Sequence, residues 1–278
     1  MTKLMLIPSD KKFNYNCDSY LIGIDGLSVN MPIYFSIEEV ESLSCSDEIF
    51  VSLNKNMHSD DLDILESTLV RLSKLDIKGV FFYDIAVLSI VKRLGLNIPL
   101  VWAQEHMTNN YMSVNFWKDK GVEYTLLSEE ISSKDIIDIK KNSDSKLIVP
   151  IFGYFPMFVS RRHLKHNYMD RFDLHDDSNI NFITKEGFTY PIVDSSVTTV
   201  YTSSYLNGIK DFVSFSDSGV EYVLLNSFLT GDKINEILNM FKSVNDDNKE
   251  EYFDSISSMF NGNVDTFFLH KESIYKVK

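Results

Sequence analysis

The stretch EIFVSLNKNMHSDDLDILESTLVRLSKLDIKGVFFYD, residues 48–84, holds two strand signals separated by one helix signal. A β-branched and aromatic run ends at Asn54, and a second run, GVFFY, ends at Asp84. Between them, Ser59 precedes a segment with acidic residues early and Arg and Lys late, as the helix dipole favours. Leucines recur on one face of this helix at helical spacing: Leu62, Leu65, Leu69 and Leu72. The stretch therefore predicts one strand–helix–strand unit.

The same alternation recurs along most of the chain. Further strand signals lie at 4–8, 20–24, 99–103, 124–127, 146–152 and 221–225, and further helix signals at 36–43, 87–93, 109–120, 133–141, 203–212, 232–242 and 249–260. Strands that alternate with helices indicate a parallel sheet. The glycine-rich phosphate loops common in doubly wound open sheets are absent from the sequence. We predict an α/β fold, a (β/α)8 TIM-like barrel, with a doubly wound open sheet as the alternative.

Residues 170–202 break this alternation. The segment NINFITKEGFTYPIVDSSVTTVYT, residues 179–202, has the pattern of antiparallel strands, with Glu186-Gly187 as a hairpin turn. We therefore predict a single barrel domain over residues 1–278. A small antiparallel β-hairpin insertion at about 173–202 should follow the region of the seventh strand.

Composition excludes several classes of protein. The net charge is −13, which argues against independent binding to a nucleic-acid backbone because such binding needs clustered cations. Cys17 and Cys45 are too few for a disulfide scaffold or for an iron–sulfur site built on cysteines alone, and we predict structural thiols in a reducing compartment. No run approaches the roughly 18 apolar residues of a membrane span. A cytoplasmic protein without membrane contact is expected.

Polar side chains stand where the predicted strands end. In a parallel barrel these carboxyl ends meet at one face, where ligands bind. The residues concerned are Asn54, Asp84, Gln104, Glu130 and Asn226. Together they predict a polar pocket, although each could instead cap the following helix, as Asn and Asp often do.

The stretch IFGYFPMFVSRRHLKHNYM, residues 151–169, is the densest mixture of aromatic, cationic and titratable groups. Two adjacent guanidinium groups, Arg161 and Arg162, suit a carboxylate or phosphate, which predicts a small-anion site. The alternative is an exposed basic turn. His163 and His166 lack an evident third ligand, so no metal site is predicted.

The sequence carries no recognisable proteolytic motif. Neither G-x-S-x-G nor H-E-x-x-H occurs. If the protein were a hydrolase, the candidate catalytic groups would be Asp84, Glu130 and His163, activating a water molecule.

Three runs of the chain resemble the collagenase-like peptidase family U32: IFVSLNKNMHSDDLDILE (49–66), GVFFYD (79–84) and VWAQEHMTNNYMSVNFWKDKGVEYTLLSEEIS (101–132). Residues at positions matching the family pattern are Gln104, Thr108, Asn109, Trp117, Gly121, Glu130 and Ser132. With the strand ends and the arginines, the resemblance gives the ligand-binding candidates Asn54, Gln104, Asn109, Ser160, Arg161 and Arg162.

The family signature is His-Gly, two residues, Cys, three residues, Ser-Gly, one residue, Cys. This chain has Phe152-Gly153, keeps Ser160, and has Pro156 and His163 at the two cysteine positions. Members that hydroxylate RNA bases or ubiquinone precursors without oxygen hold an iron–sulfur cluster through such cysteines. The resemblance therefore implies that this chain carries no cluster and no other cofactor. Tyr124 and Glu129 also replace two arginines of a second family motif.

These departures resemble the short, cysteine-free branch of the family in low-GC Gram-positive bacteria, which forms one half of a pair. The longer, cysteine-bearing paralogue is associated with 5-hydroxyuridine formation at the tRNA wobble position. The resemblance implies a companion or binding subunit in prephenate-dependent wobble uridine hydroxylation, with that paralogue as partner and tRNA reached through the complex. A peptidase activity, or binding of small anions, is the alternative, and whether the chain is itself an enzyme stays open.

Overall fold

The computed structural model describes residues 2–43, 47–104, 106–176 and 178–271. In chain order the strands are β1 (Lys3–Ile7), β2 (Ser19–Ile24), β3 (Tyr34–Phe35), β4 (Glu48–Leu53), β5 (Gly79–Phe82), β6 (Leu100–Trp102), β7 (Tyr124–Leu126), β8 (Lys146–Gly153), β9 (Pro156–Ser160), β10 (Ile180–Lys185), β11 (Phe188–Asp194), β12 (Thr198–Tyr201), β13 (Tyr205–Asn207), β14 (Tyr222–Asn226) and β15 (Val264–Asp265).

The helices of the same residues are α1 (Ile37–Ser42), α2 (Leu62–Leu72), α3 (Ile85–Leu94), α4 (Tyr111–Asp119), α5 (Ser133–Lys141), α6 (Leu164–Phe172), α7 (Phe212–Ser218), α8 (Lys233–Ser243) and α9 (Lys249–Met259). Side-chain caps set several of their starts. Ser36 and Ser132 form capping boxes with Glu39 and Asp135, and Asn110 caps α4 by accepting a hydrogen bond from Ser113 N at 3.0 Å.

Eight parallel strands close into a barrel in the order β1, β2, β4, β5, β6, β7, β8 and β14. Closure comes from β14, which pairs in parallel with β1 on one side and with β8 on the other. The predicted (β/α)8 TIM-like fold is therefore confirmed. The short β3 pairs with β2, and β13 adds to β8 in antiparallel direction.

Alternation along the strands separates two apolar layers. Side chains of one parity fill the barrel interior, where Phe50 makes edge-to-face contacts with Phe81, Tyr124 and Tyr222 at centroid distances of 5.8, 5.6 and 5.3 Å. Side chains of the other parity pack outward against the helices. The barrel interior is thus a packed core and not a pore.

A second, four-stranded antiparallel sheet stands apart from the barrel, in the order β10, β11, β12 and β9. The hairpin of β10 and β11 lies within the predicted insertion, and Glu186-Gly187 forms its turn with positive φ at both residues. The sheet recruits β9 from residues before that range, and α6 lies between β9 and β10. We call this sheet with its connecting loops the excursion, and α6 lies against it.

Two expectations from the sequence are wrong. Residues 203–212 do not form one helix: Tyr205–Asn207 pairs with Phe152 and Gly153 at the end of β8, a short 3-10 turn covers Ile209–Asp211, and the α-helix starts only at Phe212. In α2, Leu65, Leu69 and Leu72 are buried as predicted, but Leu62 is exposed. Cys45 lies outside the described residues, and Cys17 is buried.

Candidate ligand site at the barrel mouth

A cavity of about 260 Å³ lies at the carboxyl end of the barrel strands, between the barrel and the excursion. The barrel contributes the loop after β2, the loop after β4 and Tyr83 after β5, and the excursion contributes its wall from β9 and the turn before β12. The lining residues that the chemistry depends on are Asn30, Asn54, Lys55, Tyr83 and Arg161. The mouth is therefore a pocket shared by two parts of the fold.

Two asparagines form the polar wall of this cavity. Asn54 is oriented by Val29, whose backbone N–H donates to Asn54 Oδ1 at 2.9 Å while Asn54 Nδ2 donates to Val29 O at 3.1 Å. Asn30 has a left-handed backbone with φ +61°, which Asn tolerates better than most residues. Its Oδ1 accepts a hydrogen bond from Thr199 Oγ1 at 2.6 Å, which ties the excursion to the barrel.

The two cations of the cavity differ in what already contacts them. Lys55 Nζ donates to Asp61 Oδ1 at 2.7 Å and to Gly26 O at 3.0 Å, so its charge is compensated locally. The Arg161 guanidinium makes neither a hydrogen bond nor an ion pair with the described residues, and it is exposed. Arg161 is therefore the group in this cavity that is available to an anion.

The floor beneath is apolar. A second cavity of about 70 Å³ reaches into the barrel mouth and shares Asn30 and Asn54 with the first. Its wall consists mainly of aliphatic and aromatic side chains, with Asn226 and Glu129 as further polar groups. A ligand with a charged end and a compact apolar body matches this arrangement.

A close backbone approach shapes the rim. Gly153 has φ +116°, and a Cβ there would lie 2.4 Å from Asn226 O. Asn226 is buried, and its Nδ2 donates to Tyr154 O at 2.9 Å. Only glycine fits at residue 153, which gives a physical reason for a glycine after Phe152.

The structure places Asp84 at a helix cap. Its Oδ1 accepts from Ala86 N at 2.9 Å at the start of α3, and its Oδ2 accepts from Met57 N at 3.0 Å. Both carboxylate oxygens thus hold backbone N–H groups. Asp84 joins two barrel loops, as expected for a capping residue.

The β6–α4 loop holds two further sequence candidates near its ends. Gln104 is half-buried, and its carbonyl lies 3.5 Å from the buried Thr108 Oγ1, which donates to it. Asn109 is exposed, and its Oδ1 accepts from Asn110 Nδ2 at 2.9 Å. Glu130 is exposed after β7, with its Oε1 3.8 Å from His106 Nδ1. In the part of the chain that the structure describes, none of these three residues lines either of the two mouth cavities.

The candidates of the basic stretch belong to the excursion. Ser160 Oγ accepts from Arg162 N at 3.1 Å, and the Arg162 side chain is exposed. His163 Nδ1 lies 3.0 Å from Asp194 Oδ1, whose side chain is only 5% exposed. The three catalytic candidates therefore make their contacts in three separate places, and the mouth cavities contain none of them among the described residues.

Of the candidates, the structure brings Asn54 and Arg161 into one cavity and adds Asn30 and Tyr83, which the sequence reasoning missed. Asn30 lies in the loop after β2, a strand end to which no polar candidate was assigned. The polar character of GLSVN (26–30) was the available signal. Whether these side chains bind a ligand remains a prediction.

The iron–sulfur cluster that cysteine-bearing members of the family hold does not fit the residues at the signature positions of this chain. Pro156 offers no donor side chain, and His163 faces Asp194. Burial raises the pKa of the Cys17 thiol to about 12, which disfavours the thiolate needed for ligation. Within the described ranges, no group of three or more His, Cys, Asp or Glu side chains is placed to hold a metal ion.

Comparison with known proteins gives one family match and two informative relatives. The sequence model of Peptidase family U32 matches residues 10–276. The chain is 25% identical to tRNA hydroxylation protein P2 of Bacillus subtilis, over 92% of this chain and 92% of that protein. It is 26% identical to tRNA hydroxylation protein P1 of the same organism, over 56% of this chain but only 38% of P1.

Among solved structures, that of the U32 peptidase Mk0906 is similar with a TM-score of 0.49 and 13% sequence identity, covering 81% of this chain and 92% of that one. An oxaloacetate acetylhydrolase structure has a TM-score of 0.46 at 7% identity, covering 94% of this chain and 93% of its own. None of the described helices has both the length and the apolar composition needed to cross a membrane.

Proposed function

Because the chain belongs to Peptidase family U32, we propose that it is a companion subunit in tRNA hydroxylation and not a peptidase. The observation that carries this proposal is its similarity to tRNA hydroxylation protein P2 along nearly the whole of both chains. The specific reaction proposed is prephenate-dependent 5-hydroxylation of the wobble uridine, and the proposed location is the cytoplasm.

The companion role follows from what the chain lacks for redox chemistry. Pro156 and His163 stand where cluster-binding relatives have cysteines, and Cys17 is buried. A redox centre for the hydroxylation would then belong to another protein. The proposed partner is a longer, cysteine-bearing paralogue that resembles P1.

Exposed apolar side chains on α4 and on the loop before it support association with such a partner. Met107, Tyr111, Met112 and Phe116 are exposed by 63, 39, 70 and 53%, and residues 106–117 contain no Asp, Glu, Lys or Arg. Contiguous apolar surface of this kind marks protein interfaces, whose cores are depleted of charge. We name these four residues the α4 face and assign the paralogue to it.

A second candidate function, binding of a small organic anion, is favoured by Arg161. The unpaired guanidinium, the two asparagines and the apolar floor together suit a carboxylate on a compact hydrophobic body. This function is compatible with the first, because a carboxylate co-substrate such as prephenate would occupy the same cavity.

Gene deletion tests the main proposal. Nucleosides derived from 5-hydroxyuridine should fall in tRNA from the deletion strain, as measured by mass spectrometry, and should return when the wild-type gene is supplied. Unchanged levels in a deletion strain that keeps the longer paralogue would reject the proposal.

Co-expression tests the partnership. The chain and its paralogue should co-elute in size-exclusion chromatography at micromolar concentration. Two separate monomer peaks would reject the companion role. If gene deletion nevertheless lowers tRNA modification, the assignment to the pathway stays in place.

Thermal shift tests the anion site. Prephenate and related organic acids should raise the melting temperature of the wild type, and Arg161→Ala should abolish the rise. Arg162→Ala is the matched control, because its neighbouring guanidinium is exposed outside the cavity lining. Equal shifts in both variants would reject the cavity as the site.

A further inference from the structure

Helix α6 lies on the surface without a buried residue. Leu164, Tyr168 and Phe172 follow each other at intervals of four residues and are exposed by 36, 56 and 58%. The rings of Tyr168 and Phe172 lie 4.7 Å apart between centroids. Since residues four apart share one helix face, they form an aromatic stripe that faces solvent.

Polar contacts at the N-terminal half of α6 hold this stripe in place. Leu164 N donates to Thr198 Oγ1 at 2.8 Å, and His166 N donates to Asp194 Oδ2 at 3.1 Å. Lys165 donates to Ser178 O and lies 3.5 Å from Asp176 Oδ2. Because these bonds fix the helix to the excursion without using its aromatic rings, the stripe is preorganised for another molecule.

The cations around the stripe are largely uncompensated. Residues 161–172 contain Arg161, Arg162, Lys165 and Arg171 against the single acid Asp170, four positive charges minus one, or +3, in a chain of net charge −13. Lys165 has Asp176 as its partner. The guanidinium groups of the three arginines make no hydrogen bond or ion pair with the described residues.

We propose that this surface, the α6 face, binds a single-stranded loop of RNA. Its members are Arg161, Arg162, Tyr168, Arg171 and Phe172. Unpaired bases would stack on the two rings, and the guanidinium groups would contact phosphates, which is how proteins commonly bind unpaired nucleotides. The inference rests on the proposed function in taking the RNA to be a tRNA loop.

Charge complementarity favours RNA over a protein partner. Three guanidinium groups without a partner among the described residues, in the same segment as two exposed rings, match a ligand that alternates anionic and planar groups. The four residues of the α4 face, by contrast, are exposed and uncharged, with a single ammonium group, Lys120 Nζ, 5.3 Å from the Phe116 ring centroid. Arg161 also lines the mouth cavity, so a loop on the α6 face would have a nucleotide beside the barrel mouth.

Fluorescence anisotropy with the full chain tests the proposal. The probes are a labelled anticodon stem-loop RNA and a fully paired RNA duplex of equal length, each titrated with and without the co-purified paralogue. The double variant Tyr168→Ala/Phe172→Ala should weaken stem-loop binding at least tenfold and leave duplex binding within twofold. Tyr168→Phe should bind as the wild type, because it keeps the ring.

A charge variant completes the test. Arg162→Ala/Arg171→Ala should weaken binding of both RNAs and should make the affinity less dependent on salt. Arg93→Ala is the control, since Arg93 lies on α3 and pairs with Glu66. The melting temperature of every variant is measured alongside, and the exposed positions predict no change.

The outcomes separate this inference from the proposed function. Unchanged stem-loop binding in the aromatic double variant overturns the proposal that the α6 face binds RNA, even if gene deletion abolishes tRNA hydroxylation. Loss of paralogue binding with intact RNA binding shows a protein interface instead and also overturns it. Binding that depends on α6, with normal tRNA hydroxylation after deletion, supports the α6 face and rejects the proposed function.

Discussion

Helices α4 and α6 are each nine residues long and both expose aromatic side chains, yet they are held by different forces. Helix α4 buries Val114 and stacks Trp117 on Trp102 with ring centroids 3.8 Å apart. Helix α6 has no buried residue and depends on hydrogen bonds to the excursion. The exposed rings of α4 therefore extend an apolar scaffold that has one cation nearby, Lys120, 5.3 Å from the Phe116 ring centroid. The exposed rings of α6 share a segment with three guanidinium groups that have no partner among the described residues.

This difference indicates two kinds of partner. Without a formal charge in residues 106–117, an α4 contact is driven by burial of apolar area. With a net charge of +3 in residues 161–172, an α6 contact gains from phosphate. Substitutions, salt and pH should therefore affect the two helices differently.

The largest difference is expected in folding stability. Trp117→Ala should lower the free energy of unfolding by about 3 kcal/mol, because it removes an aromatic ring packed on Trp102 and Phe82. Phe172→Ala on α6 should change it by less than about 0.5 kcal/mol, since that ring is exposed. Urea denaturation measures both. Similar losses in the two variants would contradict the contrast between a packed and an unpacked helix.

A charge placed on the α4 face should break the complex with the paralogue. Met112→Glu/Phe116→Glu should weaken association about 100-fold. Each new carboxylate would lose its hydrating water in the core of the interface and would find no cation there to compensate its charge. Tyr168→Glu on α6 is the matched control and should leave association within about threefold. Isothermal titration calorimetry measures both. Equal weakening by the two variants would show that the faces are not distinct in function.

Salt should separate the two contacts next. With three phosphates contacted, raising monovalent salt from about 50 to 200 mM should weaken stem-loop RNA binding roughly 20-fold, through counterion release. Association of the paralogue should change much less, because the α4 face is uncharged. Anisotropy and calorimetry over a salt series provide the two slopes. If RNA binding and paralogue association had the same salt dependence, the two faces would not differ in the kind of interaction that they make.

The smallest effect concerns the anchor of α6. Burial tends to raise the pKa of Asp194, but hydrogen bonds from His166 N and from the His163 and Thr198 side chains outweigh it and lower the pKa. A lowered folded-state pKa means that the carboxylate stabilises the fold above about pH 4 and loses this contribution as pH falls through the folded-state pKa. Asp194→Asn should therefore lose about 1 kcal/mol at pH 7.

The difference between Asp194→Asn and the wild type should shrink as the pH is lowered towards 3, measured by urea denaturation at pH 7, 5 and 3. Asp170→Asn, at an exposed position of the same helix, is the control. A difference that stays constant over this pH range would show that the carboxylate charge does not anchor α6.

Much of the barrel could be predicted from local sequence, because each strand–helix unit has a β-branched or aromatic run followed by an amphipathic helical pattern. The β-branched run before Asn54 and the amphipathic helix after Ser59 appear in the structure within a few residues of their predicted bounds. Residues 203–212 show the limit. There β13 forms because β8 offers a pairing edge far away in sequence, and Gly208 is so close to Ile151 that a Cβ would lie 2.8 Å from it.

The candidate site was less predictable. Asp84 could be expected to cap a helix or to act on a ligand, and its Met57 hydrogen bond depends on how two loops meet. Arg161 and Arg162 are neighbours in sequence, but only Arg161 lines the mouth cavity, because β9 has paired with β12. For α6, an apolar spacing of four residues would usually indicate a buried face.

Barrel closure depends on β14 pairing with both β1 and β8, but the sequence alone establishes the alternation of strands and helices and the absence of cysteines at Pro156 and His163. These properties follow from hydrophobic periodicity, from capping residues and from residue identity, all of which are local. Only the tertiary structure decided that the aromatic stripe of α6 faces solvent and that Arg161 has no partner among the described residues. Burial and charge pairing depend on which distant segments contact each other, and local periodicity does not specify those contacts.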